Sequence, residues 1–259
     1  MKNPWILALL ITPVWAQSPI APPVLGFVED SARALRPAYG VSGNFILGPA
    51  VAGAILNQAF SGSVGLLKTD SSLAAFDPKG RLLVSMKAPA GPALFAFSPS
   101  GGEALAYLPS SQTLIEWNGS AFTLVSIESQ SLGRDDVLAI AFPNSSQASL
   151  IVQRPDALWQ LQLPLDSRSA LSQSALPGIH APVLTLPSGD LVYSSDGGIV
   201  VRRPNGLETH VPASLPAKFS LQQMNQYWVE LADLDSSARY AIRATPGREA
   251  FYRLPEQSK

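Results

Sequence analysis

Apolar runs a few residues long recur along this chain, each cut off by a polar turn, as in FAFSPSGGEALAYLPSSQTLIEW from Phe95 to Trp117. Short runs bounded by Ser, Pro, Gly and Asn clusters are the pattern of β-strands joined in hairpins. One kind of hairpin starts at Val24 (VLGFVEDSARALRPAYG), Leu73 (LAAFDPKGRLLVSMKA) and Thr113 (TLIEWNGSAFTLVSIE). It returns at Ala157 (ALWQLQLPLDSRSALSQS), Ile199 (IVVRRPNGLETHVPAS) and Arg239 (RYAIRATPGREAFYRLPE). The turns DPKG, WNGS, RPNG and TPGR carry Gly and Asn, which accept positive φ, and Pro, which presets φ. A second kind of strand pair fills the intervals: ILNQAFSGSVGLLKT, PALFAFSPSGGEALAYL, DVLAIAFPNSSQASLIVQ, HAPVLTLPSGDLVYSS and KFSLQQMNQYWVELAD.

The hairpin starts lie 49, 40, 44, 42 and 40 residues apart. Four short strands every 40 to 45 residues or so predict propeller blades, whose sheets bury both faces by packing on copies of themselves around an axis. Phe95–Trp117 then covers most of the first three strands of one blade, and Ala121–Glu128 supplies the fourth. Residues 55–256 make five full units. The hairpin Val24–Gly40, read as an outer one, and the following VSGNFILGPAVAGA form a reduced sixth blade or an N-terminal addition. The expected fold is all-β, a β-propeller of four-stranded blades, six in number: five clear and one degenerate at the N-terminus. Residues 24–256 form the single domain and 257–259 a tail. A β-sandwich is the alternative.

The repeats resemble the β-propeller repeat superfamily, especially divergent bacterial extracytoplasmic propellers related to the WD40, NHL and YVTN repeats. FSPSGGEALAY is the best local match, since such propellers often carry SPDG between their first two strands. The Gly-His and Trp-Asp pairs that define WD40 repeats are absent. The resemblance is one of pattern and spans roughly residues 24–256.

The N-terminus, MKNPWILALLITPVWAQSP, has a basic residue at Lys2, an apolar stretch from Trp5 to Trp15, and small residues Val14 and Ala16 at the −3 and −1 positions of a cleavage site. It reads as a signal peptide over 1–16, cut between Ala16 and Gln17, with 17–23 an extended leader. The stretch is short for a bilayer span, and an uncleaved anchor is the rival reading. The expected location is periplasmic or extracellular, in a bacterium. No membrane span is expected in the mature chain.

Composition narrows the chemistry. The chain has 259 residues, 14% charged, with a net charge of −1 and no basic run, so nucleic acid is not an expected partner. There is no cysteine, which excludes disulfides and thiolate chemistry. His180 and His210 belong to no catalytic motif, and no cofactor or metal is expected.

One positional pattern remains. The turns between second and third strands read KTDSS, LPSSQ, QRPDA, SSDGG and LDSSA, and four of them carry an aspartate: Asp70, Asp156, Asp196 and Asp235. On one face of a propeller, around the channel mouth, these carboxylates could bind a cation or a basic ligand. The plainer reading is turn formation, because Asp bonds the backbone two residues on. DLDSS (Asp233–Ser237) starts like a calcium loop but lacks its Gly and distal Glu. Phe76, Trp117, Trp159, Trp228, Phe251 and Tyr252 are expected to pack between blades, and Asn118 and Asn144 head glycosylation-type sequons. The functional expectation is a non-enzymatic binding module for a protein partner, small ligand or glycan. A hydrolase or lyase acting on polysaccharide or peptide through the mouth carboxylates is the alternative.

Overall fold

The computed structural model describes residues 22–125, 135–165 and 172–255. It holds 23 strands in six antiparallel sheets. The first sheet has three strands: β1 (Val24–Glu29), β2 (Leu35–Val41) and β3 (Asn44–Leu47). The second has β4 (Ile55–Phe60), β5 (Gly65–Thr69), β6 (Ser72–Phe76) and β7 (Leu82–Lys87). The third has β8 (Leu94–Phe97), β9 (Ala104–Leu108), β10 (Thr113–Trp117) and β11 (Phe122–Val125). The fourth has β12 (Asp136–Asn144), β13 (Gln147–Gln153), β14 (Leu158–Pro164) and β15 (Ser172–Leu176). The fifth has β16 (Val183–Thr185), β17 (Leu191–Ser195), β18 (Gly198–Arg202) and β19 (Glu208–Pro212). The sixth has β20 (Phe219–Asn225), β21 (Trp228–Asp233), β22 (Arg239–Arg243) and β23 (Ala250–Arg253). Each sheet is ordered as the chain runs, as expected of propeller blades.

Apolar residues on both faces of each sheet make this arrangement. All five residues of β9, ALAYL, are buried. Each apolar cluster bridges two adjacent sheets, and the series goes all the way round. The second and third sheets share Leu66, Phe95 and Trp117, and the third and fourth share Leu105, Leu114 and Leu150. Ile151 and Tyr193 join the fourth to the fifth, and Val201 and Val229 the fifth to the sixth. Phe27, Phe60 and Phe76 join the first to the second, and Phe45, Trp228 and Leu254 join the sixth back to the first. Within the second sheet, Gly65 on β5 leaves room for the ring of its paired residue Phe76 on β6, since an added Cβ would lie 2.0 Å from that ring.

The first sheet differs from expectation. Its Val24 hairpin forms β1 and β2, the first pair of the sheet, and β3 comes from NFIL; among the described residues the fourth strand of the other sheets has no counterpart. Its polarity is also reversed. Ile55 N–H, at the start of β4, donates to the carbonyl of Arg33, beyond the end of β1 (3.1 Å). Gln58 Nε2 donates to the Phe27 carbonyl (2.8 Å), and Asn225 Nδ2, at the end of β20, donates to the Leu25 carbonyl. So β1 runs antiparallel to β4 and β20. Those two run parallel to each other: Gln58 N–H donates to Gln222 Oε1, and Gln223 Nε2 donates to the Phe60 carbonyl, each at 3.3 Å. The odd strand count requires the reversal. Three strands leave the chain at the end opposite its start, and β4 must begin where β8 begins. Gly26 permits the close fit, since a Cβ there would lie 2.1 Å from the Met224 carbonyl oxygen.

The end of the ring where β4, β8, β12, β16 and β20 begin is called the front face below. Turns between second and third strands of the four-stranded sheets lie there, as does the β1–β2 turn. Turns between first and second, and third and fourth, strands of those sheets lie on the back.

Candidate functional site

The four aspartates come to the front face, one each from the second, fourth, fifth and sixth sheets, and all four are exposed. They sit where second strands turn into third strands, outward from the inner strands. Asp156 accepts the Trp159 indole N–H at 3.3 Å, and Asp235 lies 4.0 Å from Lys218 Nζ. Among the described residues, no three acidic or histidine side chains gather as a metal site.

The neighbouring candidates have local partners. In DLDSS, Asp233 accepts the Asp235 N–H at 2.9 Å and the Ser236 hydroxyl at 2.5 Å, which holds its carboxyl below the usual range. These are the bonds of a turn-capping aspartate. Asn118 and Asn144 are exposed and accept the N–H groups of Ser120 and Ser146 in the same way. His180 is exposed, and His210 on β19 lies 4.0 Å from Glu208. Phe76, Trp117 and Trp228 are buried between sheets. Phe251 stacks on Tyr240 and Tyr252 joins Phe45, while Trp159 packs beneath the Arg154 guanidinium, 5.0 Å from its ring centroid.

On the axis is a small cavity of about 60 Å³. It is lined by β4, β8, β12, β16 and β20, while β1 packs outside it, against the β4–β20 junction. None of the four aspartates lines it. Its polar side is Asn57, Gln58, Gln222 and Gln223; the rest is apolar. Asn57 bonds both the N–H and the carbonyl of Ala93. Gln58 and Gln223 use their amide N–H groups on backbone carbonyls, and the buried Oε1 of each has no hydrogen-bond partner among the described residues. A larger groove of about 470 Å³ lies off the axis, between Gly43–Phe45 and Arg253–Pro255, where the outer strands of the first and sixth sheets meet.

Sequence reasoning missed the buried charges. Arg203 donates to the carboxylates of Asp190 and Glu249 and to the Ala244 carbonyl, tying the fifth sheet to the sixth on the back face. Lys68 is fully buried and donates to the Thr69 carbonyl; desolvation lowers its pKa, opposed by Asp70. Glu230 on β21 is fully buried and accepts from Arg239 Nη1 at 2.5 Å. A visible signal existed for Glu230. It stands in WVELAD, a second strand, and a second strand of a propeller blade is covered on both faces.

No family model matches the sequence, and no curated protein matches it. Solved structures do. TolB from Acinetobacter baumannii superposes with a TM-score of 0.57 at 14% identity, covering 90% of this chain and 64% of that one. This chain thus spans less than two thirds of the TolB chain. A structure of the nidogen/laminin complex superposes with a TM-score of 0.56 at 11% identity, covering 88% of this chain and 92% of that one. Identities this low speak to fold alone, and the fold agrees with six sheets joined in a ring by six shared apolar clusters. The chain is a six-bladed β-propeller.

Proposed function

We propose that the mature chain is an exported binding module that holds a protein partner on its front face. The observation that carries this reading is the common placement of Asp70, Asp156, Asp196 and Asp235, exposed on that face from four different blades. A rigid ring keeps such turns at fixed spacing, so a partner meets a preorganised surface at little entropic cost. Acidic turns suit a partner whose contact surface is basic. The nidogen/laminin structure, a complex between proteins, has a propeller of similar shape. Export is supported by Lys2, the apolar stretch and the Val14/Ala16 pair, all of which lie outside the described residues.

The test is a crosslinking pull-down with tagged residues 17–259 from native envelope and medium fractions. A reproducible protein partner is expected. Its recovery should fall by about tenfold or more when Asp70→Asn, Asp156→Asn, Asp196→Asn and Asp235→Asn are combined, with at most a small drop in melting temperature, because exposed charges contribute little to folding and Asp70 offsets the buried charge of Lys68. Undiminished capture by the fourfold variant would remove the front face from the proposal. Turnover of a polysaccharide or peptide by the purified chain, abolished by the same changes, would replace binding with catalysis.

A further inference from the structure

Among the described residues the first and sixth blades exchange no strand, so side-chain packing and hydrogen bonds such as that from Asn225 to the Leu25 carbonyl shut the ring. Most of that seam is apolar, with Val28, Ala38 and Phe45 against Met224, Trp228 and Ala241. Towards the front face it contains charges. Glu230 is fully buried, with Oε1 on Arg239 and Oε2 without a close hydrogen-bond partner among the described residues. Glu29, at the end of β1, is half-buried and acts electrostatically on Glu230 from across the seam. We propose that this seam is a proton-operated latch: Glu230, ion-paired with Arg239, is buried against the first blade with Glu29 on the facing strand end, and the blades close fully only when the carboxyl pair holds a proton.

The charge balance supports a latch. Arg239 and Glu29 are the two charged side chains that act on Glu230. Glu29 also feels Arg239, Arg33 and Asp30. Arg36 on β2 neutralises Asp30 through a 2.6 Å ion pair, and Arg33 is exposed, so water screens it. From β20 and β22, the residues paired with Glu230 are the uncharged Gln222 and Ala241. Two carboxylates against one guanidinium leave one negative charge in excess in a low-dielectric seam, and a proton relieves it.

Desolvation raises the Glu230 carboxyl to about 7, against the pull of Arg239, with Glu29 adding to the rise and its backbone N–H opposing. Glu29 is raised too, chiefly by burial. A carboxyl raised on folding binds its proton more tightly in the closed state. The stabilisation is therefore fully present below the unfolded value of about 4.3 and is lost as pH rises through about 7. The seam is tight at pH 5 to 6 and loosened at pH 8.

Hydrogen–deuterium exchange of residues 17–259 at pH 5.5 and 8.5, corrected for the intrinsic pH dependence of amide exchange, tests this. Opening of β1–β3 is expected to increase about tenfold or more at the higher pH, relative to β12–β15 across the ring. Glu230→Gln, which keeps the shape and an acceptor for Arg239, should flatten that dependence. If this variant does not fold, Glu29→Gln, at a half-exposed position, should reduce the same slope. A wild-type slope retained in the folded variant overturns the latch. So does equal protection of β1–β3 at both pH values, or a change shared equally by β12–β15.

Discussion

Phe27→Ala is expected to cost about 3–5 kcal/mol, the range for deleting a buried phenyl ring that leaves a cavity. Phe27 is fully buried on the reversed strand β1. Its ring meets Phe60 edge-on at 5.1 Å and Phe76 edge-on at 4.9 Å, and those two rings stack at 6.1 Å. The cluster is the main apolar tie between the first sheet and the second. Phe76 also covers Gly65, so its ring has little room to move into the space vacated. Urea denaturation should show a lower midpoint with an unchanged slope, the mark of lost stability rather than an altered unfolded state. Leu124→Ala, at a side chain 65% exposed on outer strand β11, should change stability by no more than about 0.5 kcal/mol. Equal effects from the two substitutions would contradict the seam described here.

Arg239→Met is expected to be nearly as severe, and its effect should depend on pH. It strands the Glu230 carboxylate in a site with no exposure, and removing one partner of a buried ion pair typically costs about 3–5 kcal/mol. That cost belongs to pH 8, where Glu230 must be ionised to use its arginine. At pH 5 the carboxyl can hold a proton instead, and the loss should shrink to that of a hydrogen bond, about 1 kcal/mol. Adding Glu230→Leu to Arg239→Met should restore much of the stability at pH 8, because an apolar pair carries no desolvation cost. Denaturation curves at the two pH values distinguish this from a packing defect, which would cost the same at both.

The five full blades were legible because each depends on local chemistry. Alternating apolar runs and the turns DPKG, WNGS, RPNG and TPGR place strands wherever they occur. The polarity of the first sheet was not legible. A hairpin such as VLGFVEDSARALRPAYG reads the same as an inner or an outer pair, and only the three-strand count, with the Arg33–Ile55 and Leu25–Asn225 bonds, shows that it runs backwards. The acidic turns were legible as a series, since their spacing follows the repeat. Their radial position was not, because a turn's distance from the axis depends on how sheets pack. Glu230 was legible only through the fold: alternation alone reads a glutamate as a solvent position, but its place in WVELAD, a second strand, marks it as covered on both faces once the propeller is inferred.

The most direct measurement of the binding face is site-specific photocrosslinking in the native cell. A photoreactive amino acid placed at Asp196 or Asp235 on the front face would be compared with one at Glu103 or Asn205 on the back, all in folded protein. Protein adducts from the front-face positions, with few from the back, are expected if the acidic turns hold the partner. Adducts from the back face alone, or equally from both faces, would contradict a front-face binding site.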